Sequence, residues 1–254
     1  MGALFFAELK RLGWVWLLLT VAITISFASG TRSFHPSTEQ SKAEVQFHQE
    51  RGDLDPAKAR EIKQMWSYPY YLARVILPNI VLFLTILSIF IGAGLIARES
   101  ERGTLRLLLS FPVNRYRVLL NKYAIGALLL GVTVGLVTAF IYFSSIYNGE
   151  VLTLRNVTIA GLLMALQFLV IYGYTFMLSV FFNSQLAVLG ASCMVSFALF
   201  LIPHPLLAKT GYLDIGSVLS LGAVPWPMAS LMLLAVVFLF VLSVVMFERK
   251  ELTS

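Results

Sequence analysis

The chain has 254 residues, 58% hydrophobic and only 13% charged, with a mean hydropathy of +0.82 and a formal net charge of +6. Soluble globular domains carry about a quarter charged residues, so a soluble enzyme is excluded as a description of the whole. The basic excess calls for no nucleic-acid partner, because Lys and Arg beside anionic lipid are each worth about 1 kcal/mol.

The charges are clustered. Asp, Glu, Lys and Arg are absent from 12–31, 75–97, 123–149, 156–208 and 215–247. A helix needs roughly 20 apolar residues to cross a hydrocarbon core, and the fourth gap holds two such runs, split at Asn183-Ser184-Gln185. A membrane barrel needs alternating segments, and runs such as 83–97 do not alternate. Unpaired backbone groups are costly in lipid, so helices follow. The pattern predicts an all-α integral membrane protein, one domain over 1–254, with six spans at about 12–29, 76–97, 120–147, 157–182, 185–203 and 226–247.

In chain order, Lys10 and Arg11 precede the first apolar run, and Ser26-Phe27-Ala28 resembles a signal-peptidase site. The run is long for a signal sequence and opens with Trp14 and Trp16, which suit an interfacial anchor; an uncleaved first span is expected. The loop 30–74 follows. Its second half begins with Asp55 as a helix cap and Pro56 at the first helical position. It closes on Trp66, Tyr68, Tyr70 and Tyr71, which fit the headgroup layer. An amphipathic helix leading into span two is predicted, with a mobile loop as the alternative. His35 and His48 lie near Glu39, Glu44 and Glu50 without a recognised ligand spacing, and His204 sits in a Pro-His-Pro exit from span five. No metal site is expected.

Span two gives way to the most informative stretch, RESERGTLRLLLSFPVNRYRVLLNK from Arg98 to Lys122. It is too polar to cross a bilayer and too rich in leucine for a plain solvated loop. Arg98 to Arg102 should emerge into water. Gly103 permits a sharp turn, and Thr104 can cap a new helix. Glu99 and Glu101 lie near its start, where negative charge is favoured. Leu105 to Phe111 makes about two turns and Pro112 ends them. Asn114 and Arg115 then open the helix that becomes span three.

Arg98, Arg102, Arg106, Arg115, Arg117 and Lys122 load this insert with positive charge. Lys10 and Arg11 mark the N-terminus, and Arg249 and Lys250 the C-terminus. Six spans put these three groups on one side, which the positive-inside rule makes cytoplasmic. The loop 30–74 is then external, despite its seven basic residues against six acidic ones.

The pattern formed by Glu99, Glu101, Gly103, Thr104, Leu105, Leu107, Leu108, Leu109, Pro112 and Arg115, followed by Leu119, Leu120, Lys122 and Tyr123, resembles the segment after span two in ABC-2 type transporter permeases. The nearest variety in character serves nitrous-oxide-reductase maturation and antibiotic export. The resemblance implies a short cytoplasmic coupling helix within 98–117, seated in a groove of a separate ATP-binding subunit. Glu99, Glu101, Gly103, Thr104, Leu105, Leu108, Pro112 and Arg115 would carry that coupling. It further implies two such subunits holding ATP and Mg, no cofactor in this chain, and a second permease subunit as homodimer or sister heterodimer. The setting would be the cytoplasmic membrane of a prokaryote.

The glycine spacing from Gly126 to Gly131 mimics a phosphate loop but lacks its lysine and lies in an apolar run. It reads as helix packing, with Gly131 and Gly135 forming a small-xxx-small face. Cys193 reads as a small core residue. Polar residues within spans face other helices or water. Gln167, Tyr172, Tyr174 and Asn79 are therefore candidates for a substrate path, with helix–helix hydrogen bonding or capping as the competing reading. The chain is expected to be no enzyme. An exporter of amphipathic, lipid-like, peptide or drug cargo is the leading function; a membrane anchor or sensor that recruits a soluble ATPase or regulator is the alternative.

Overall fold

The structure, a computed structural model, describes residues 16–18, 20–25, 27, 30–31, 39, 43, 47, 71–72, 76–104, 115–149, 152–201, 218–219 and 226–249. Among these residues it is all-helical. The elements are α1 (Leu77–Leu95), α2 (Ala97–Glu101), α3 (Arg115–Tyr147), α4 (Leu154–Phe181), α5 (Gln185–Leu201) and α6 (Trp226–Arg249). Four helical runs are long and apolar enough to cross a membrane: Leu77–Glu101, Arg115–Tyr147, Leu154–Phe181 and Trp226–Arg249. Trp16–Ile25 and Gln185–Leu199 are shorter apolar helices. The amphipathic segment expected after Asp55, and Leu105, Leu108 and Pro112 of the insert, lie outside the described residues.

α4 is the hub, packed against α1, α3, α5 and α6. Met164, Phe168, Tyr172 and Phe176 on α4 are completely buried. Glycines allow the neighbours to close in, since lipid gives apolar helices little reason to associate and close packing must supply it. On α1, a Cβ at Gly92 would lie 2.8 Å from Thr175 Cγ2 of α4. On α3, the Tyr172 ring occupies the place a Gly126 side chain would need. On α4, Thr138 of α3 fills the corresponding place at Gly161. Gly131 and Gly135, expected to form the packing face, instead look onto open space. Small residues at a four-residue spacing specify a smooth stripe, but not that a helix of this chain covers it.

The two ends of the bundle can be told apart by contacts. At one end, the α3–α4 turn closes through Gly149 in the left-handed region (φ 77°). There the Ser145 hydroxyl accepts from Leu152 N–H at 3.3 Å, and Asn156 Nδ2 donates to Leu219 C=O at 3.4 Å. Tyr71 donates to Gly30 C=O at 3.1 Å, and Gly30 lies against Ile76 at the start of α1. The N-terminal segment runs beside α3: Trp16 Nε1 donates to Thr133 Oγ1 at 2.7 Å, and Phe27 meets Phe140 with ring centroids 6.2 Å apart. The opposite end gathers α2, the start of α3, the α4–α5 turn and the second half of α6. Tyr123 ties the last of these in, its ring 5.0 Å from Tyr172, 5.2 Å from Phe176 and 4.7 Å from Phe240. The described helices thus alternate in direction.

Candidate functional site

The end that carries the insert contains an ion pair of two buried partners. Lys122 Nζ of α3 lies 2.9 Å from Glu99 Oε1 of α2, and both side chains are less than a tenth exposed. The pair spans the base of the elbow, joining its first turn to the helix into which it returns. Arg98 to Arg102 therefore does not simply emerge into water: Glu99 turns inward because Lys122 neutralises it there. Removing one partner of such a pair leaves an uncompensated buried charge, which is far more costly than never having had the pair.

Glu101 makes a second tie. Its Oε2 accepts from the backbone N–H of Gln185 at 3.1 Å, so it caps the N-terminus of α5. A free helix N-terminus presents unsatisfied donors and partial positive charge, and a carboxylate answers both. Beside it, Ser100 donates to Asn183 Oδ1 at 3.1 Å. The polar break Asn183-Ser184-Gln185 thus serves as the seat on which the root of the elbow rests. The two carboxylates expected to favour the elbow's own helix point to different neighbours, one to α3 and one to α5.

The turn itself follows from Gly103, whose φ is 73°. Its N–H donates to Ser100 C=O at 3.1 Å, in the pattern of a left-handed glycine closing a helix. Thr104 donates its hydroxyl to Glu99 C=O at 3.3 Å. It thereby ties back to the end of α2; the helix it is expected to cap lies outside the described residues. No atom lies within 4 Å of a Cβ added at Gly103, so Gly103→Ala carries a backbone cost alone, about 1–2 kcal/mol for the left-handed conformation. Thermal unfolding of the purified variant should show that loss, and Gly103→Asn should show less of it. Arg115, the first residue of α3, is exposed.

The four candidates for a path do not come together. Tyr172 is fully buried and its hydroxyl donates toward α3, 3.0 Å from Tyr123 C=O and 3.4 Å from Lys122 C=O. Tyr174 turns to α5 and shares a hydrogen bond with Ser196. Gln167 is half-buried on α4. Asn79 is exposed in the first turn of α1, at the far end of the bundle. The competing reading, helix–helix bonding, describes what the two tyrosine hydroxyls do. Cys193, expected in the core, is exposed on α5 because Ser192 and Val188 take that helix's inward positions. Among the described residues, no three His, Cys, Asp or Glu side chains gather as a metal would require.

Sequence reasoning missed the Glu99–Lys122 and Glu101–Gln185 partnerships. The available signal was the position of both acids at the lip of one apolar run, with the lysine at the lip of the next.

Long apolar helices alternating in direction, with a charged elbow braced at its root, define a multi-pass membrane protein. The sequence pattern of the family described as ABC-2 family transporter protein matches residues 6–252, and the chain belongs to that family. It is accordingly an ABC transporter permease, the membrane component that works with an ABC ATP-binding subunit. No curated protein matches the chain.

Proposed function

We propose that the chain is the transmembrane subunit of an ATP-driven exporter in the cytoplasmic membrane of a prokaryote. It crosses the membrane six times, the helix after Trp16 and α5 completing the four longer spans, with both termini and the elbow in the cytoplasm. It pairs with a second permease, identical or sister, and with two ATP-binding subunits that hold ATP and Mg. The elbow, through Leu105, Leu108 and the residues around them, sits in the ATPase and carries its closure to the spans. The cargo is amphipathic: a lipid-like molecule, a peptide or a drug.

The observation that carries this reading is the bracing of the elbow's root. A lever must be stiff where it joins the load. Here the Glu99–Lys122 pair and the Glu101 cap fix that joint to two helices at once, α3 and α5. ATP supplies the energy through different affinities for the partner's open and closed forms.

The purified chain should hydrolyse no ATP, and co-expression with its cognate ATP-binding subunit should yield a complex. Burying a leucine is worth about 1.5–3 kcal/mol, so Leu105→Asp with Leu108→Asp should cut capture of the ATPase at least about tenfold. Undiminished capture would remove the elbow from the interface. Capture without ATP-dependent movement of the spans would favour an anchor that only recruits its partner.

A further inference from the structure

We infer that Glu101 is a positioning residue that delivers the elbow's displacement to α5, making α5 the helix driven most directly by the stroke. This rests on the permease reading above and adds to it which span moves and through which contact.

The two ties at the elbow root differ in kind. Glu99–Lys122 is buried, so opening it costs each group a partner that water does not readily replace; it behaves as a fixed joint between α2 and α3. The Glu101–Gln185 and Ser100–Asn183 bonds are exposed, and water can replace either of them. They hold α5 to the elbow while leaving the contact able to change between states.

α5 is also the least embedded of the elements that touch the root. The main core gathers residues of α1, α3, α4 and α6, whereas Val188 of α5 belongs to a separate small cluster with Ala93 and Ala97. Leu178, Phe182 and Leu189 pack around it. That cluster lies directly beside Glu101, at the start of α5. Further along the helix, Met194 is 76% exposed and Phe197 63%. The hydrogen bond between Tyr174 and Ser196 is a tie to α4 in that half. A helix tied to the elbow at one end, and lightly packed beyond, is displaced at low cost by moving the tied end. The α1–α3–α4 body, seamed by Gly92, Gly126 and Gly161, is not.

The test uses the full chain with its ATP-binding subunit in lipid nanodiscs, in a Cys193→Ala background. Spin labels at Met194→Cys and Leu162→Cys report α5 against α4. Labels at Leu82→Cys and Leu162→Cys report α1 against α4. A non-hydrolysable ATP analogue should shift the first distance. Glu101→Ala should abolish that shift while capturing the ATPase as before and leaving the second distance unaltered. Glu101→Gln retains an acceptor oxygen and should restore the shift. An α5 shift that survives Glu101→Ala, or is missing in the background protein despite bound ATPase, overturns the inference and leaves the permease reading standing. Loss of ATPase capture in Glu101→Ala alone would move Glu101 to the docking face, and also overturns it. Failure of the background protein to capture the ATPase removes the permease reading, and this inference with it.

Discussion

Lys122→Ala should destabilise the chain by about 3–5 kcal/mol, the range for stripping one partner from a buried ion pair. Glu99 would lose the ammonium 2.9 Å away while less than a tenth exposed. Glu99→Gln should cost less than Lys122→Ala leaves behind, because a neutral amide can still accept from the ammonium. The double variant Glu99→Leu/Lys122→Met should recover most of the loss, since well-packed apolar replacements of a buried pair are often neutral or better. Denaturant unfolding in mixed micelles of Glu99→Leu, Lys122→Met and the double variant gives the coupling energy directly. Equal and additive losses would mean that the two groups do not depend on one another. The double variant also separates stability from function. A chain that unfolds normally yet couples ATP hydrolysis poorly to movement would show that the charge pair stiffens the elbow beyond what packing provides.

A comparably large effect is expected at Gly126→Val. Any Cβ there falls within the Tyr172 ring, whose hydroxyl is held at 3.0 Å from Tyr123 C=O. The ring cannot swing aside cheaply, because it is completely buried between Tyr123 and Phe176. Overpacking of this kind costs about 1–3 kcal/mol and more when backbone must shift, and the lost tyrosine hydrogen bond adds about 1 kcal/mol. Combining it with Tyr172→Ala should relieve the clash, so the double variant should be less impaired than the sum of the two single ones. Gly131→Val and Gly135→Val, over open space, should leave unfolding of the single chain nearly unchanged.

The helices were legible because their cause is one-dimensional. A run free of charge is a property of consecutive residues, and α3, α4 and α6 begin within five residues of the predicted span starts at 120, 157 and 226. The turn at Gly103 was legible for the same reason, and the family pattern in the insert identified the class of protein that the match over 6–252 establishes. What could not be read is which face of each helix meets which neighbour. Gln185 lies 84 positions from Glu101, and nothing local to either announces the contact. Gly131 and Gly135 satisfy a spacing rule, yet Gly126 and Gly161 do the packing because Tyr172 and Thr138 lie opposite them. Tyr172 and Tyr174 differ by two positions, roughly 200° of helix rotation. One therefore serves α3 and the other α5, a separation visible only once α4 is known to lie between them.

The hydroxyls inside the bundle carry a consequence for biogenesis. Thr24, Ser88, Thr133, Thr138, Thr175 and Ser243 each donate to the carbonyl four residues earlier in their own helix. Each helix therefore quiets these polar groups by itself and can leave the translocon for lipid with no companion present. Glu99 and Lys122 instead meet across two elements, so α2 gains this ion pair only when α3 arrives. The order of synthesis supplies that arrival immediately, which makes the α1–α3 hairpin the natural first unit of assembly.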